Sequence, residues 1–84
     1  MSQKEKLIAK LRSDSEFTYD EAVKLLGHFS FIRDNKGKTS GSRVAFSIPN
    51  TNVKILLHKP HPRKELLSYQ KKQLIEQLEQ EGLI

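Results

Sequence analysis

Two histidines near the middle of the chain are the residues best suited to proton-transfer chemistry. His61 lies between Pro60 and Pro62 in the run HKPHPRKEL, and these prolines favour an extended backbone that would hold its imidazole in place. The imidazole of a histidine, with an ordinary pKa near ~6.5, takes up and returns protons at neutral pH. We therefore predict His61 as the first candidate for general acid–base catalysis and His58 as the second. The alternative for each is a solvated or backbone-bonded histidine.

The sequence lacks the residues that other kinds of catalytic site require. The chain has no cysteine, which excludes disulfides, thiolate metal sites and cysteine nucleophiles and is typical of a reducing compartment. His58 and His61 alone do not complete a tetrahedral zinc site, and His28 beside Phe29 is interpreted as structural. The sequence contains no phosphate-binding glycine loop, dinucleotide fingerprint or nucleophile triad. We expect neither a metal nor a cofactor.

Positive charge is concentrated in the middle of the chain. Residues 33–72 hold ten lysines and arginines against Asp34 and Glu65, a net charge of +8, while the remainder of the chain carries −3. A surface of one sign indicates a polyanionic partner, and nucleic acid is the leading case. The alternative is a basic face kept for solubility. No apolar run approaches the length of a membrane span or a signal-peptide core, so we expect a cytoplasmic protein.

Capping motifs predict two helices in the first third of the chain. Residues 2–5 and 18–21 both fit the capping box, whose side chains satisfy backbone N–H groups at a helix start. The first helix is expected to be peripheral. The second is expected over residues 19–26 and to end at Gly27 in a left-handed conformation. The apolar stripe of the first helix consists of Leu7, Ile8 and Leu11.

Strict alternation of apolar and polar residues predicts a β-hairpin from residues 43–48 and 53–58, joined by a turn. A first strand is expected over residues 28–33, followed by a cationic loop over residues 34–42. The inward residues of the hairpin are Val44, Phe46, Ile48, Val53, Ile55 and Leu57. The opposite, solvent-facing side carries Arg43, Ala45, Ser47, Lys54, Leu56 and His58.

The end of the chain predicts a stiff connector and one more helix. Prolines deny residues 59–67 the hydrogen bonds of a strand, and Ser68 is expected to cap a helix that ends at Gly82. The element order therefore predicts an α+β fold, with helices covering one face of a three-stranded antiparallel sheet. We expect a single domain over residues 1–84, made of an N-terminal helical extension (1–16) and a core (17–84).

An α-β-β-β-α core with a basic loop between its first two strands has the architecture of a double-stranded-RNA-binding domain. The motifs GSRVAF (41–46), LHKPHPRKEL (57–66) and SYQKKQLIEQL (68–78), with the terminal EGLI, resemble the HicA toxin family over about four-fifths of the chain. The resemblance implies a fold of the double-stranded-RNA-binding type. It also implies cleavage of messenger RNA and neutralisation by a HicB antitoxin.

The sequence departs from the family at one position. Family members carry Gly-Ser-His ahead of a phenylalanine, and the histidine is catalytic, whereas this chain has Gly41-Ser42-Arg43. An arginine stays protonated, so it can neutralise a phosphate or a developing charge but cannot act as a general base. His61 matches a histidine often found in the family before the segment ending in Lys-Glu-Leu. The candidate catalytic residues are His61, Arg43 and His58.

The leading hypothesis is a HicA-like toxin, a metal-independent RNA endonuclease that a HicB-like antitoxin neutralises. One alternative is a non-catalytic RNA-binding module of the same fold, because Arg43 occupies the position of the catalytic histidine. Another is a small interaction domain that binds a protein through the exposed face around Leu56. The predicted RNA contacts are Lys36, Lys38, Ser42, Arg43, Lys54, Lys59, Arg63, Lys64, Lys71 and Lys72.

Overall fold

A computed structural model describes residues 2–33, 43–58 and 64–84, and for Arg43 and His58 it describes the backbone alone. Three helices and a three-stranded antiparallel sheet form the predicted α+β architecture, with strand order β1-β2-β3. No helix in this part of the chain is long and apolar enough to cross a membrane. The elements are α1 (Gln3–Arg12), α2 (Tyr19–His28), β1 (Ile32–Arg33), β2 (Arg43–Ser47), β3 (Lys54–His58) and α3 (Ser68–Gln80).

The predicted capping residues begin both N-terminal helices, α2 with the full capping box and α1 with the serine half of the box. The Ser2 hydroxyl accepts a hydrogen bond from the Glu5 N–H at 3.2 Å. In the second helix the Thr18 hydroxyl accepts from the Glu21 N–H at 3.1 Å, and the Glu21 carboxylate accepts from the Thr18 N–H at 3.0 Å. Burial alone would raise the pKa of Glu21, but hydrogen bonds from Lys10 and Thr18 together lower it. Its carboxylate therefore caps α2 and also holds Lys10 of α1, 2.6 Å away.

The end of α2 differs from the prediction that Gly27 closes the helix. Gly27 lies inside the helix, and the left-handed residue is Ser30, with φ of 72°. The Ser30 N–H donates to the Gly27 carbonyl and the Phe31 N–H donates to the Leu26 carbonyl, both at 3.0 Å, which is a Schellman close. Phe31 and Leu26 are both buried, so burial of Phe31 accompanies this ending. The predicted strand over residues 28–33 is consequently reduced to Ile32–Arg33.

Replacing Gly27 with alanine tests this ending directly. A Cβ at Gly27 meets no atom within 4 Å, and alanine is favoured over glycine inside a helix by about 0.5–1 kcal/mol. We expect Gly27→Ala to raise the free energy of unfolding by that amount in urea denaturation. Had Gly27 been the left-handed residue, the same change would destabilise the protein. Gly82, whose φ is 71°, is the matched control, because Gly82→Ala is expected to destabilise.

The hairpin has the predicted inner face. β2 pairs antiparallel with β3, with Phe46 opposite Ile55 and Val44 opposite Leu57. All four of these side chains are buried in the core. β1 adds only a short pairing to the other side of β2, with Ile32 opposite Ser47.

The helix α1 is packed more deeply than the expected peripheral helix. Leu11 is only 1% exposed and belongs to the same apolar core as α2, α3 and the sheet. The Lys4 ammonium lies 4.9 Å from the centre of the Phe29 ring, a distance suited to a cation–π contact. Phe17, which leads into α2, has no exposed surface. The N-terminal residues are therefore part of the core packing.

The last helix begins one residue away from the predicted cap. Leu67, rather than Ser68, occupies the N-cap position, and the side chain of Gln70 accepts a hydrogen bond from the Leu67 N–H at 2.9 Å. Gln70 is 8% exposed and is the one buried polar residue in the described part of the chain. Its amide replaces the serine hydroxyl as the capping group. The predicted close at Gly82 is confirmed, because the Leu83 N–H donates to the Leu78 carbonyl at 2.9 Å.

Candidate nucleic-acid interface

The outer face of the sheet brings together the positions that alternation predicted to share it. Arg43 is paired with His58 and Ser47 with Lys54, with the Ala45–Leu56 pair between them. Residues directly opposite each other in antiparallel strands lie on the same face, about 5 Å apart. Arg43 is thus directly opposite His58 on the neighbouring strand.

Apolar residues also lie on this outer face. Leu56 is 45% exposed and Ile32 is 55% exposed, and by the strand registers both are on the side of Ser47 and Lys54. Ala45 is buried although it belongs to the same face. The outer face is therefore mixed in polarity. Leu56 lies between the two polar pairs, and Ile32 lies beside Ser47. The sequence pattern indicated Leu56 as outward but gave no signal for Ile32.

Residues 64–66 lie against the residues that begin α2. The Leu66 N–H donates to the Phe17 carbonyl at 2.7 Å and the Tyr19 N–H donates to the Lys64 carbonyl at 2.9 Å. Residues 64–66 therefore form a short antiparallel pairing with residues 17–19, with Thr18 opposite Glu65. The prediction that residues 59–67 lack the hydrogen bonds of a strand is wrong for this part of the connector. Lys64 is exposed beside the start of α2. The connector is anchored at this end.

Several predicted site residues lie outside the described part of the chain. These are the catalytic candidate His61 and the predicted RNA contacts Lys36, Lys38, Ser42, Lys59 and Arg63. Lys54, Lys64, Lys71 and Lys72 are described. In the described ranges 2–33, 43–58 and 64–84, no group of three His, Asp or Glu residues is placed to hold a metal ion.

Lys71 has a structural contact that its sequence position did not indicate. Its ammonium group donates to the backbone carbonyls of Ser13 and Ser15, at 2.7 and 2.8 Å. These carbonyls belong to the loop between α1 and α2, so Lys71 ties this loop to the first turns of α3. Lys72, the next residue, is exposed. The two adjacent lysines therefore differ in their freedom to contact a ligand.

Gln77 of α3 holds the edge strand that carries Lys54 and His58. Its side-chain oxygen accepts from the Leu56 N–H and its side-chain nitrogen donates to the Leu56 carbonyl, both at 3.3 Å. The amide thus pairs with the outer edge of β3 as a neighbouring strand would. No local sequence pattern indicates such a contact, because it joins residues 21 positions apart.

Removing this edge contact is expected to weaken the fold. Gln77→Ala loses two hydrogen bonds that are partly open to water, and we expect the free energy of unfolding to fall by about 1 kcal/mol. Gln73→Ala is the matched control, because Gln73 is an exposed glutamine of the same helix. Urea denaturation of both variants measures the difference. Equal stabilities for the two variants would show that the Gln77 amide does not support β3.

Comparison with known proteins identifies one family. The family model described as the HicA toxin of bacterial toxin-antitoxin systems matches residues 19–80. This range begins with the first residue of α2 and ends with the last residue of α3, so α1 lies outside it. Searches of curated proteins and of solved structures gave no match.

Proposed function

The chain belongs to the HicA toxin family of bacterial toxin-antitoxin systems, and from this premise we propose that it cleaves messenger RNA without a metal ion. The family implies an antitoxin partner, which we propose to be HicB-like. The observation that carries the proposal is the pairing of Arg43 with His58 on the outer sheet face. The net charge of +8 over residues 33–72 supports a polyanionic substrate.

Metal-free RNA cleavage requires three groups that this region of the chain can supply. A base removes the proton from a ribose 2′-hydroxyl, whose oxygen attacks the adjacent phosphorus. An acid protonates the 5′-oxygen as its bond to phosphorus breaks. A cation stabilises the charge that builds on the phosphoryl oxygens. The products are a 2′,3′-cyclic phosphate and a 5′-hydroxyl.

We assign the proton transfers to the histidines and the electrostatic role to Arg43. His61 is the principal acid–base residue and His58 is its partner, because an imidazole can both accept and donate a proton near neutral pH. His61 is three residues from His58, and three residues of chain span at most roughly 11 Å. The covalent chain therefore limits the Cα–Cα distance between His61 and His58 to that value.

Contacts along the RNA strand are proposed for the remaining cations. Lys54 lies on the same face as the Arg43–His58 pair, and Lys64 is exposed where the connector meets α2. The other proposed contacts are Lys36, Lys38, Ser42, Lys59, Arg63, Lys71 and Lys72. Phosphate contacts of this kind position the RNA strand and make the affinity decrease as the salt concentration rises.

A second candidate function follows from the residue at position 43. Arginine binds phosphate but does not act as a base, which favours a non-catalytic member of the family that retains RNA binding. The two functions are separated by incubating the purified protein with RNA in EDTA and analysing both binding and product. Shortened RNA supports the nuclease, whereas binding that weakens with salt and yields no product supports the binding module.

A further inference from the structure

A cavity of about 300 Å³ lies between the end of α1 and the beginning of α3. Its wall carries three cationic side chains, those of Arg12, Lys71 and Lys72, and one carboxylate, that of Asp14. Leu11 and Ile75 contribute apolar surface. Since the family match begins at residue 19, the α1 side of this cavity is built by residues outside the matched region.

The Lys71 ammonium is fixed at this cavity by two neutral hydrogen-bond partners. Both of its hydrogen-bond partners, the Ser13 and Ser15 carbonyls, are neutral. An ammonium group has three donors, so one remains after these two bonds. The ion pairs found in the described residues do not include Lys71. The side chain is therefore an ordered cation with a spare donor, which is the requirement for binding an anion with little loss of side-chain entropy.

The neighbouring cations are available to the same anion. Arg12 is paired with Glu79 at 3.5 Å, and both side chains are about half exposed, 46% and 48%. An exposed pair of this kind contributes little to stability and is easily rearranged. Lys72 is exposed and takes part in none of the ion pairs of the described residues. Three cationic side chains therefore line one cavity, with one carboxylate, that of Asp14.

We propose that this cavity binds a phosphate group of the RNA strand, with Lys71 as its fixed ligand and Lys72 as its mobile one. The inference rests on the proposed function for the identity of the ligand, because an RNA strand is the source of phosphate that the function supplies. It assigns the N-terminal residues a part in substrate binding, since Arg12 and Asp14 form one wall of the cavity. Free phosphate is the other source of the same chemistry.

The test compares Lys72→Ala with Lys24→Ala, an exposed helix lysine of α2 that is not part of this cavity. RNA binding by the full chain is measured from low to moderate salt. A plot of log affinity against log salt concentration has a negative slope. We expect Lys72→Ala to make this slope shallower by about 0.7, as for the loss of one phosphate contact on a single strand, and Lys24→Ala to change it less. Equal slopes for the two variants would overturn the assignment of an RNA phosphate to this cavity.

A second measurement keeps the inference separate from the proposed function. Amide NMR spectra of the wild-type chain are recorded during titration with inorganic phosphate. Saturable shifts of the amides of residues 12–15 and 68–72 that Lys72→Ala weakens would support the cavity as a phosphate site. If the wild-type chain shows these shifts but binds no RNA, free phosphate is the ligand of the cavity. An absence of such shifts together with equal salt slopes contradicts the site while leaving RNA cleavage untouched.

Discussion

Replacing His61 with alanine is expected to abolish RNA cleavage while leaving RNA binding nearly unchanged. General acid–base catalysis contributes about 10²–10⁴-fold to a rate, and with arginine at position 43 this chain has no imidazole there to take over the proton transfer. We expect His58→Ala to give a smaller loss. The measurement is the single-turnover cleavage rate of a defined RNA, with affinity determined separately at the same salt concentration.

The matched control is His28→Ala. His28 is exposed at the last turn of α2, and its removal changes the number of histidines without touching the outer sheet face. We expect this variant to cleave RNA at the wild-type rate. A His61→Ala variant that cleaves as fast as His28→Ala would remove His61 from the mechanism and leave His58 as the remaining histidine beside Arg43.

Replacing Leu11 with alanine is expected to destabilise the whole protein by about 2–5 kcal/mol, because it opens a cavity in the core. Leu11 is 1% exposed although it lies outside the family match. The stability of a small domain is about 5–15 kcal/mol, so the loss is a large part of the total. Urea denaturation followed by circular dichroism gives the free energy of unfolding.

Leu56→Ala is the control for this change, because Leu56 is 45% exposed on the outer sheet face. We expect it to cost less than about 1 kcal/mol, as substitutions at exposed sites usually do. A Leu11→Ala variant as stable as Leu56→Ala would mean that α1 is a peripheral helix after all. The buried position of Leu11 indicates instead that residues before the family match are required for a stable core.

Features encoded by neighbouring residues were predictable from the sequence. The Thr18–Glu21 capping box is a local interaction within one turn, and it begins α2 as predicted. The alternation in the hairpin placed Val44 and Phe46 in the core and Arg43 and His58 on the opposite face, because side chains of a strand alternate between faces. This local information defined the hairpin part of the outer face, but not the exposed Ile32 that β1 adds to it.

Features that depend on distant packing were not predictable in the same way. Gly27 has the residue type that usually closes a helix, yet α2 continues to His28 and the left-handed residue that follows it is Ser30, where the close coincides with the burial of Phe31. The contacts of Lys71 and Gln77 join residues far apart in the chain. Their sequence positions fit an exposed helix surface equally well. For Lys71, sequence reasoning found the charge but missed the loop that fixes it.

Incubation of the purified wild-type chain with RNA in EDTA tests most directly whether the protein is a nuclease. We expect shortened RNA that ends in a 2′,3′-cyclic phosphate, formed by attack of the 2′-oxygen with histidine assistance. RNA that is bound at low salt but recovered intact would contradict this expectation. That result would establish that arginine at position 43 leaves this member of the family with binding alone.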